Sequence, residues 1–297
     1  MNSIQTRKEN KIFHIVGTVR NVEHVLEQEF AQVNKIFGAF GEIYTYLVES
    51  DSEDKTSKVL SNMSASYNNF SYTSLGNIEK EISNRYARIA HCREIYLDYI
   101  RKLDIKIDYI VVVDLDGMNS KLNTDAVASC FKHKDWDAIF ANQTGRYYDI
   151  GALRHQTWSP NDCFVVYNEM LKFTNEKNAR LVAIQSRMIT LEAKNVLIPV
   201  NSAYGGLGIY KKDAFVQGTY IGEDHNGNPL LDFVCFNEIL TLKGYKLFIN
   251  PQLINAKYNS HNAGSNLLYR FIRKTFKFLT VNRIKQPFKK LIIKIIS

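Results

Sequence analysis

The chain has 297 residues, 45% hydrophobic and 23% charged, with 15 Gly and 5 Pro. That balance excludes a disordered chain, a collagen-like fibre and a low-complexity array, and leaves room for one large α/β unit or two small domains. The formal charge of +8 is unevenly placed: residues 239–297 hold twelve Lys or Arg and no acid, while the other 26 bases face all 30 acids in residues 1–238, a charge of −4. This is a near-neutral body with a basic tail, a poor match for a nucleic-acid binder.

The predicted elements begin with residues 12–16, a short apolar run that breaks at Gly17 and reads as a buried parallel strand. Residues 21–37 carry Val22, Val25, Leu26, Phe30, Val33 and Phe37 at helical spacing. A second strand is expected over 43–48, followed by a polar loop at 50–54 and a long helical segment over 78–103. Tyr109–Val113 is a β-branched run that ends abruptly in acid. Strand and helix alternating at this rhythm argue for right-handed βαβ units and a parallel sheet. Further on, 136–141 reads as strand, 144–163 as a polar aromatic loop and 164–185 as one helix. Residues 203–210 read as a glycine-containing strand, 231–242 as helix and 246–249 as a strand stopping before Pro251.

No run of about 18 apolar residues supports a membrane-spanning helix. MNSIQTRKENK is polar, and the apolar run after it is too short for a signal-peptide core. Cys92, Cys130, Cys163 and Cys235 are scattered without metal-type pairing, which favours reduced thiols in a cytoplasmic setting over a zinc site. From Leu267 the apolar positions Leu268, Phe271, Ile272, Phe276 and Leu279 alternate with Arg270, Arg273, Lys274 and Lys277. Residues 266–297 therefore read as a basic amphipathic helical tail appended to one domain, 1–265. Its expected partner is an anionic membrane surface, placing the protein peripherally on the inner face of the cell membrane. A partner-binding helix is the alternative for the tail, and nucleic acid is the weakest reading.

The sharpest motif is Val113-Asp114-Leu115-Asp116-Gly117. Two acids in the bend after a buried strand can turn toward one cation at the carboxyl edge of an open α/β sheet, where such sheets bind ligands. Mg²⁺ or Mn²⁺ takes oxygen ligands there and bridges carboxylates to a diphosphate.

On these residues the chain resembles glycosyltransferases of the GT-A type, a Rossmann-like, mostly parallel sheet flanked by helices. The resemblance extends over most of residues 10–262. It implies that Asp114 and Asp116 hold the metal and the donor diphosphate, with His261 in Tyr258-Asn259-Ser260-His261-Asn262 completing the metal site. It implies that Arg85, Arg88 and Arg93 lie near the nucleotide, and that Gly205 and Gly206 border the sugar. Asp232 in Leu231-Asp232-Phe233 is implied as the acid at the reacting centre. The segment Tyr148-Asp149…Ala152-Leu153-Arg154 is similar to the capsule-associated α-1,3-mannosyltransferases and their bacterial relatives, placing Asp149 and Arg154 in the substrate cleft. Those relatives commonly carry Glu-His-Val where this chain has Asp232-Phe233-Val234. Trp158, within Arg154–Asp162, suits stacking on a pyranose.

The expected function is a metal-dependent transfer of a sugar from a nucleotide-diphosphate donor to a hydroxyl of a glycan or lipid-linked acceptor in surface-polysaccharide synthesis. A nucleotidyltransferase of sugar-nucleotide metabolism and a non-catalytic, membrane-docked glycan-binding protein are the alternatives. The sequence leaves the donor sugar, the acceptor and the stereochemical course open.

Overall fold

The computed structural model describes residues 11–257; His261 and the tail at 266–297 lie outside the described residues. The described part is a mixed α/β fold built on one eight-stranded sheet. In chain order the strands are β1 (Lys11–Val19), β2 (Gly41–Glu49), β3 (Phe70–Ser74), β4 (Tyr109–Val113), β5 (Ala138–Thr144), β6 (Ile198–Val200), β7 (Leu207–Lys211) and β8 (Leu247–Lys257). They lie side by side in the order β3-β2-β1-β4-β7-β5-β8-β6. The pairs β1–β2, β1–β4, β2–β3 and β5–β8 are parallel, while β7 runs antiparallel to both β4 and β5, and β6 antiparallel to β8.

The chain steps outward from β1 through β2 to β3, then returns to place β4 on the other side of β1. The carboxyl ends of β1 and β4 thus part at a switch point, leaving a crevice. The helices are α1 (Leu26–Phe37), α2 (Thr56–Ser66), α3 (Arg85–Lys102), α4 (Thr124–Phe131), α5 (Cys163–Leu171), α6 (Glu176–Ala183), α7 (Lys212–Phe215) and α8 (Asp232–Leu242).

Strand periodicity divides the core in two. Val111 and Val113 pack on one face with Leu26, Phe30 and Val33 of α1 and with Val127 of α4. Ile110 and Val112 pack on the other with Tyr96, Leu97 and Ile100 of α3 and with Phe236 and Leu240 of α8. Asn84 caps α3 by accepting the Tyr86 N–H at 3.0 Å, and Asn123 caps α4 by accepting the Ala126 N–H at 2.9 Å.

Several elements depart from the sequence expectation. The first helix starts at Leu26, because Asn21 adopts φ 54° and opens a loop. Helix α3 begins at Arg85, where Asn84 caps it. The stretch 164–185 is two helices, since Asn175 caps a new start by accepting the Asn178 N–H at 3.1 Å. Strand β8 runs through Pro251 to Lys257, its pairing to β5 shifting register around Asn142. Helices α2, α4 and α7 and strands β3 and β6 add to the elements legible in the sequence. Among the described residues no helix is long and apolar enough to cross a membrane. All four cysteines are free, with Cys92, Cys130 and Cys163 buried.

Candidate active site

The switch point opens into a cleft of about 280 Å³. Thr18 to Arg20 line it from the end of β1, Ser50 and Asp51 from the end of β2, and Asp114 to Asp116 from the end of β4. Helix α3 supplies Arg85, Arg88, Cys92 and Arg93 along one wall.

Asp114 is the first residue past β4, so it continues the face set by Ile110 and Val112. Its N–H donates to the Gly206 carbonyl at 3.0 Å, and its Oδ1 accepts from the Tyr204 hydroxyl at 2.9 Å. Burial pushes its carboxyl up to about 7; Arg93 and the Tyr204 hydroxyl act against this, while Asp116 and Asp149 add to it. A carboxylate short of positive charge beside a second, exposed one is an arrangement that a cation relieves. Among the described residues no group of three or more His, Cys, Asp or Glu could hold a metal alone. The donors present fit a hard divalent ion that takes part of its coordination from a diphosphate.

The turn before β7 brings three expected residues together. Gly205 and Gly206 have φ of 72° and 86°, a conformation that favours glycine. The Gly205 N–H donates to Asp149 Oδ2 at 3.0 Å, and the Gly205 carbonyl accepts from Asn255 Nδ2 at 2.8 Å. Asp149, Gly205, Gly206, Tyr204 and Asp114 therefore form one continuous edge.

Arg93 and Asp232 meet beside that edge. Arg93 Nη1 lies 2.5 Å from Asp232 Oδ2, and its guanidinium covers the Phe233 ring at 3.9 Å. Tyr204 stacks on the other partner of this layer, with its ring centroid 3.8 Å from that of Phe233. Burial works against the Arg93 charge, but Asp232, with Tyr96, Tyr204 and Asp114 adding to it, holds the group well above its ordinary value.

The remaining expected residues are placed differently. Arg88 is 5% exposed and spends its guanidinium on the carbonyls of Ile82 and Ser83 at 2.8 and 2.9 Å and on Glu79 at 3.0 Å. Arg154 is likewise buried, donating to the Gly151 and Leu153 carbonyls and to Asp162. Trp158 packs edge-on against Tyr147 and donates Nε1–H to the Arg187 carbonyl at 2.6 Å. Arg85, in contrast, is exposed at the cleft and makes no ion pair among the described residues.

Three features escaped the sequence reading. Tyr204 was hidden in a strand-like run, and Arg20 in what read as a plain loop. The third is the pair Asn21 and Asp51, non-glycine residues at φ 54° and 55°. Asn21 Oδ1 accepts the Glu53 N–H at 2.8 Å, and Arg20 Nε donates to the Asp51 carbonyl at 3.0 Å, locking the two cleft loops together. Asparagine and aspartate tolerate this backbone region better than most residues, the one signal available in advance.

No protein-family model and no curated protein matches the chain. Among solved structures it is similar to the mannosyltransferase PcManGT from Pyrobaculum calidifontis, in complex with GDP-Man and Mn²⁺, at 13% identity and TM-score 0.47, over 94% of this chain and 67% of that one. It is similar to S. aureus TarS 1-349 in complex with UDP-GlcNAc at 13% identity and TM-score 0.43, over 86% of this chain and 61% of that one. A third is glucosyl-3-phosphoglycerate synthase from Mycobacterium tuberculosis, in complex with Mn²⁺, UDP and glucosyl-3-phosphoglycerate, at 13% identity and TM-score 0.44, over 94% of this chain and 83% of that one.

Proposed function

We propose that the protein is a metal-dependent glycosyltransferase that uses a nucleotide-diphosphate sugar. The observation that carries this reading is the pair Asp114 and Asp116, set after β4 at the mouth of a cleft that also holds the exposed guanidinium of Arg85, which makes no ion pair among the described residues. Two acids and an exposed base at a sheet switch point match a metal–diphosphate group better than they match a neutral ligand.

In this reading Asp114 and Asp116, together with His261, hold Mn²⁺ or Mg²⁺. When bound, the ion offsets the charge that develops on the leaving diphosphate. Arg85 and Arg20 contact the diphosphate, while Arg88 acts through the loop it braces. The Gly205–Gly206 turn lets the sugar approach the backbone, and Asp149 keeps that turn in place. The acceptor hydroxyl attacks the anomeric carbon, losing its proton to the Asp232 carboxylate, as the bond from that carbon to the diphosphate oxygen breaks. Asp232 already shares its charge with Arg93, which suits it to holding a sugar hydroxyl at the reacting centre. Arg154 and Trp158 support the loop that borders the acceptor side.

The finer proposal is a hexosyl donor, mannose among the candidates, and a glycan or lipid-linked acceptor of a surface polysaccharide. The tail at 266–297 would attach the enzyme to an anionic membrane on its cytoplasmic face. Sedimentation with anionic vesicles should fall after truncation at Ser265, and unchanged sedimentation would refute the attachment.

Thermal melting with a panel of nucleotide sugars, each with and without Mn²⁺, tests the functional reading. The expected result is stabilisation by one donor class only when metal is present. Stabilisation by a nucleoside triphosphate with a sugar phosphate would favour a nucleotidyltransferase, and a response to glycan alone would point to a binding protein.

A further inference from the structure

We infer that Glu29 is a positioning residue for the Asp114–Asp116 loop: from helix α1 its carboxylate fixes the turn that carries the two acids and adds a third negative charge behind them. The inference rests on the proposed metal site.

Glu29 lies on the buried face of α1, between the core residues Leu26, Phe30 and Val33, and is 5% exposed. Its Oε1 accepts the Asn119 N–H at 3.1 Å and its Oε2 accepts from Asn119 Nδ2 at 2.9 Å. The backbone N–H of Gly117, at φ 97°, also acts on it in favour of the charged form. The same Asn119 amide donates to the Asp114 carbonyl at 2.7 Å. One turn along α1, Gln32 Nε2 donates to the Asn119 carbonyl at 2.9 Å. The loop from Asp114 to Asn119 is thus tied to α1 at its Asn119 end, and the same asparagine holds the Asp114 carbonyl across the loop.

The two Asn119 donors call for two acceptor oxygens, but the charge itself is a cost to stability here. A buried charge without a counter-ion is costly, and among the described residues no Lys or Arg pairs with Glu29. It also repels Asp116 across the turn. A neutral Gln of the same shape would remove both penalties, but it would offer one oxygen and turn its N–H₂ toward the other Asn119 donor. The negative charge becomes favourable when a cation sits on the far side of the loop, where its field adds to that of Asp114 and Asp116. Such a device resembles the outer groups that orient and charge the direct ligands of other metal sites.

This reading separates metal affinity from stability. In the full chain, Glu29→Gln should weaken Mn²⁺ binding, measured by calorimetric titration of Mn²⁺ alone, by about tenfold or more. Its metal-free melting temperature should fall by no more than about 4 °C, the cost of the one Asn119 hydrogen bond that a Gln cannot accept. If Glu29→Gln does not fold, Gln32→Met decides, with a weakening of about threefold expected from the loosened loop. An unchanged Mn²⁺ affinity in the folded variant overturns the inference while leaving the metal site standing. So does a loss of affinity that merely follows a large fall in melting temperature. Absence of Mn²⁺ binding by the parent chain would refute the metal site itself, and the role of Glu29 with it.

Discussion

Gly205 shows how little freedom the site leaves a single residue. At φ 72° a side chain is already strained, and a Cβ there would lie 2.8 Å from the Ala141 carbonyl oxygen. Gly205→Ala should therefore cost about 1–3 kcal/mol of stability, read from urea unfolding, and should loosen the Asp149 bond to its N–H. Asp114, Asp116, Gly205 and Gly206 were legible in the sequence because local pattern alone sets them: an apolar strand ending in acid, and glycines where the backbone must turn. The arginines were not separable that way. Arg85, Arg88 and Arg93 share one helix, yet Arg88 is claimed by Glu79 and the 82–83 carbonyls, and Arg93 by Asp232, 139 positions away. Which guanidinium stays free is a property of distant partners. Trp158 and Arg154 were read as sugar contacts for the same reason, their internal partners Arg187 and Asp162 being invisible to composition.

Helices α3 and α8 meet through the Arg93–Asp232 pair, whose side chains are each 11% exposed. Removing one partner leaves the other charge buried, so Arg93→Ala and Asp232→Ala should each cost about 3–5 kcal/mol. The double variant should fall well short of the sum, and a denaturant double-mutant cycle measures that coupling. Additive losses would show that the pair is not a unit. At this scale the long strands and the helices α1, α3 and α8 were legible from their periodicity. Helix α4, eight residues long, and strand β6, three residues long, were too brief to show a period. The break between α5 and α6 is made by one capping asparagine within an otherwise helical stretch, a weaker signal than a proline or a glycine.

The described residues are built on one sheet, and His14 sits within it, 1% exposed and packed edge-on to Tyr99. Burial lowers its pKa from 6.5 to about 4, against a smaller upward pull from the Ile15 backbone. The unfolded chain takes up this proton near pH 6.5 and the folded chain does not, so stability is complete above that pH and declines as pH falls toward 4. The loss should reach about 2 kcal/mol at pH 5 and about 3 kcal/mol below pH 4. Denaturant midpoints measured between pH 7 and pH 4.5 should show a shallower slope in His14→Phe than in the parent; equal slopes would assign the acid sensitivity elsewhere.

The mostly parallel sheet follows from the strand–helix rhythm of the first half, where each β1–β4 strand precedes a helix. The reversed β7 did not follow from that rhythm, and it delivers Tyr204, Gly205 and Gly206 beside Asp114. The proposed role of those acids is to act through a metal on a diphosphate. Its most direct measurement is Mn²⁺-dependent release of nucleoside diphosphate from a sugar nucleotide by the parent chain and by Asp116→Ala. Asp116 is exposed, so the variant should keep its melting temperature and lose the metal-dependent release by about a hundredfold or more. A folded variant that releases nucleotide at the parental rate would contradict that role.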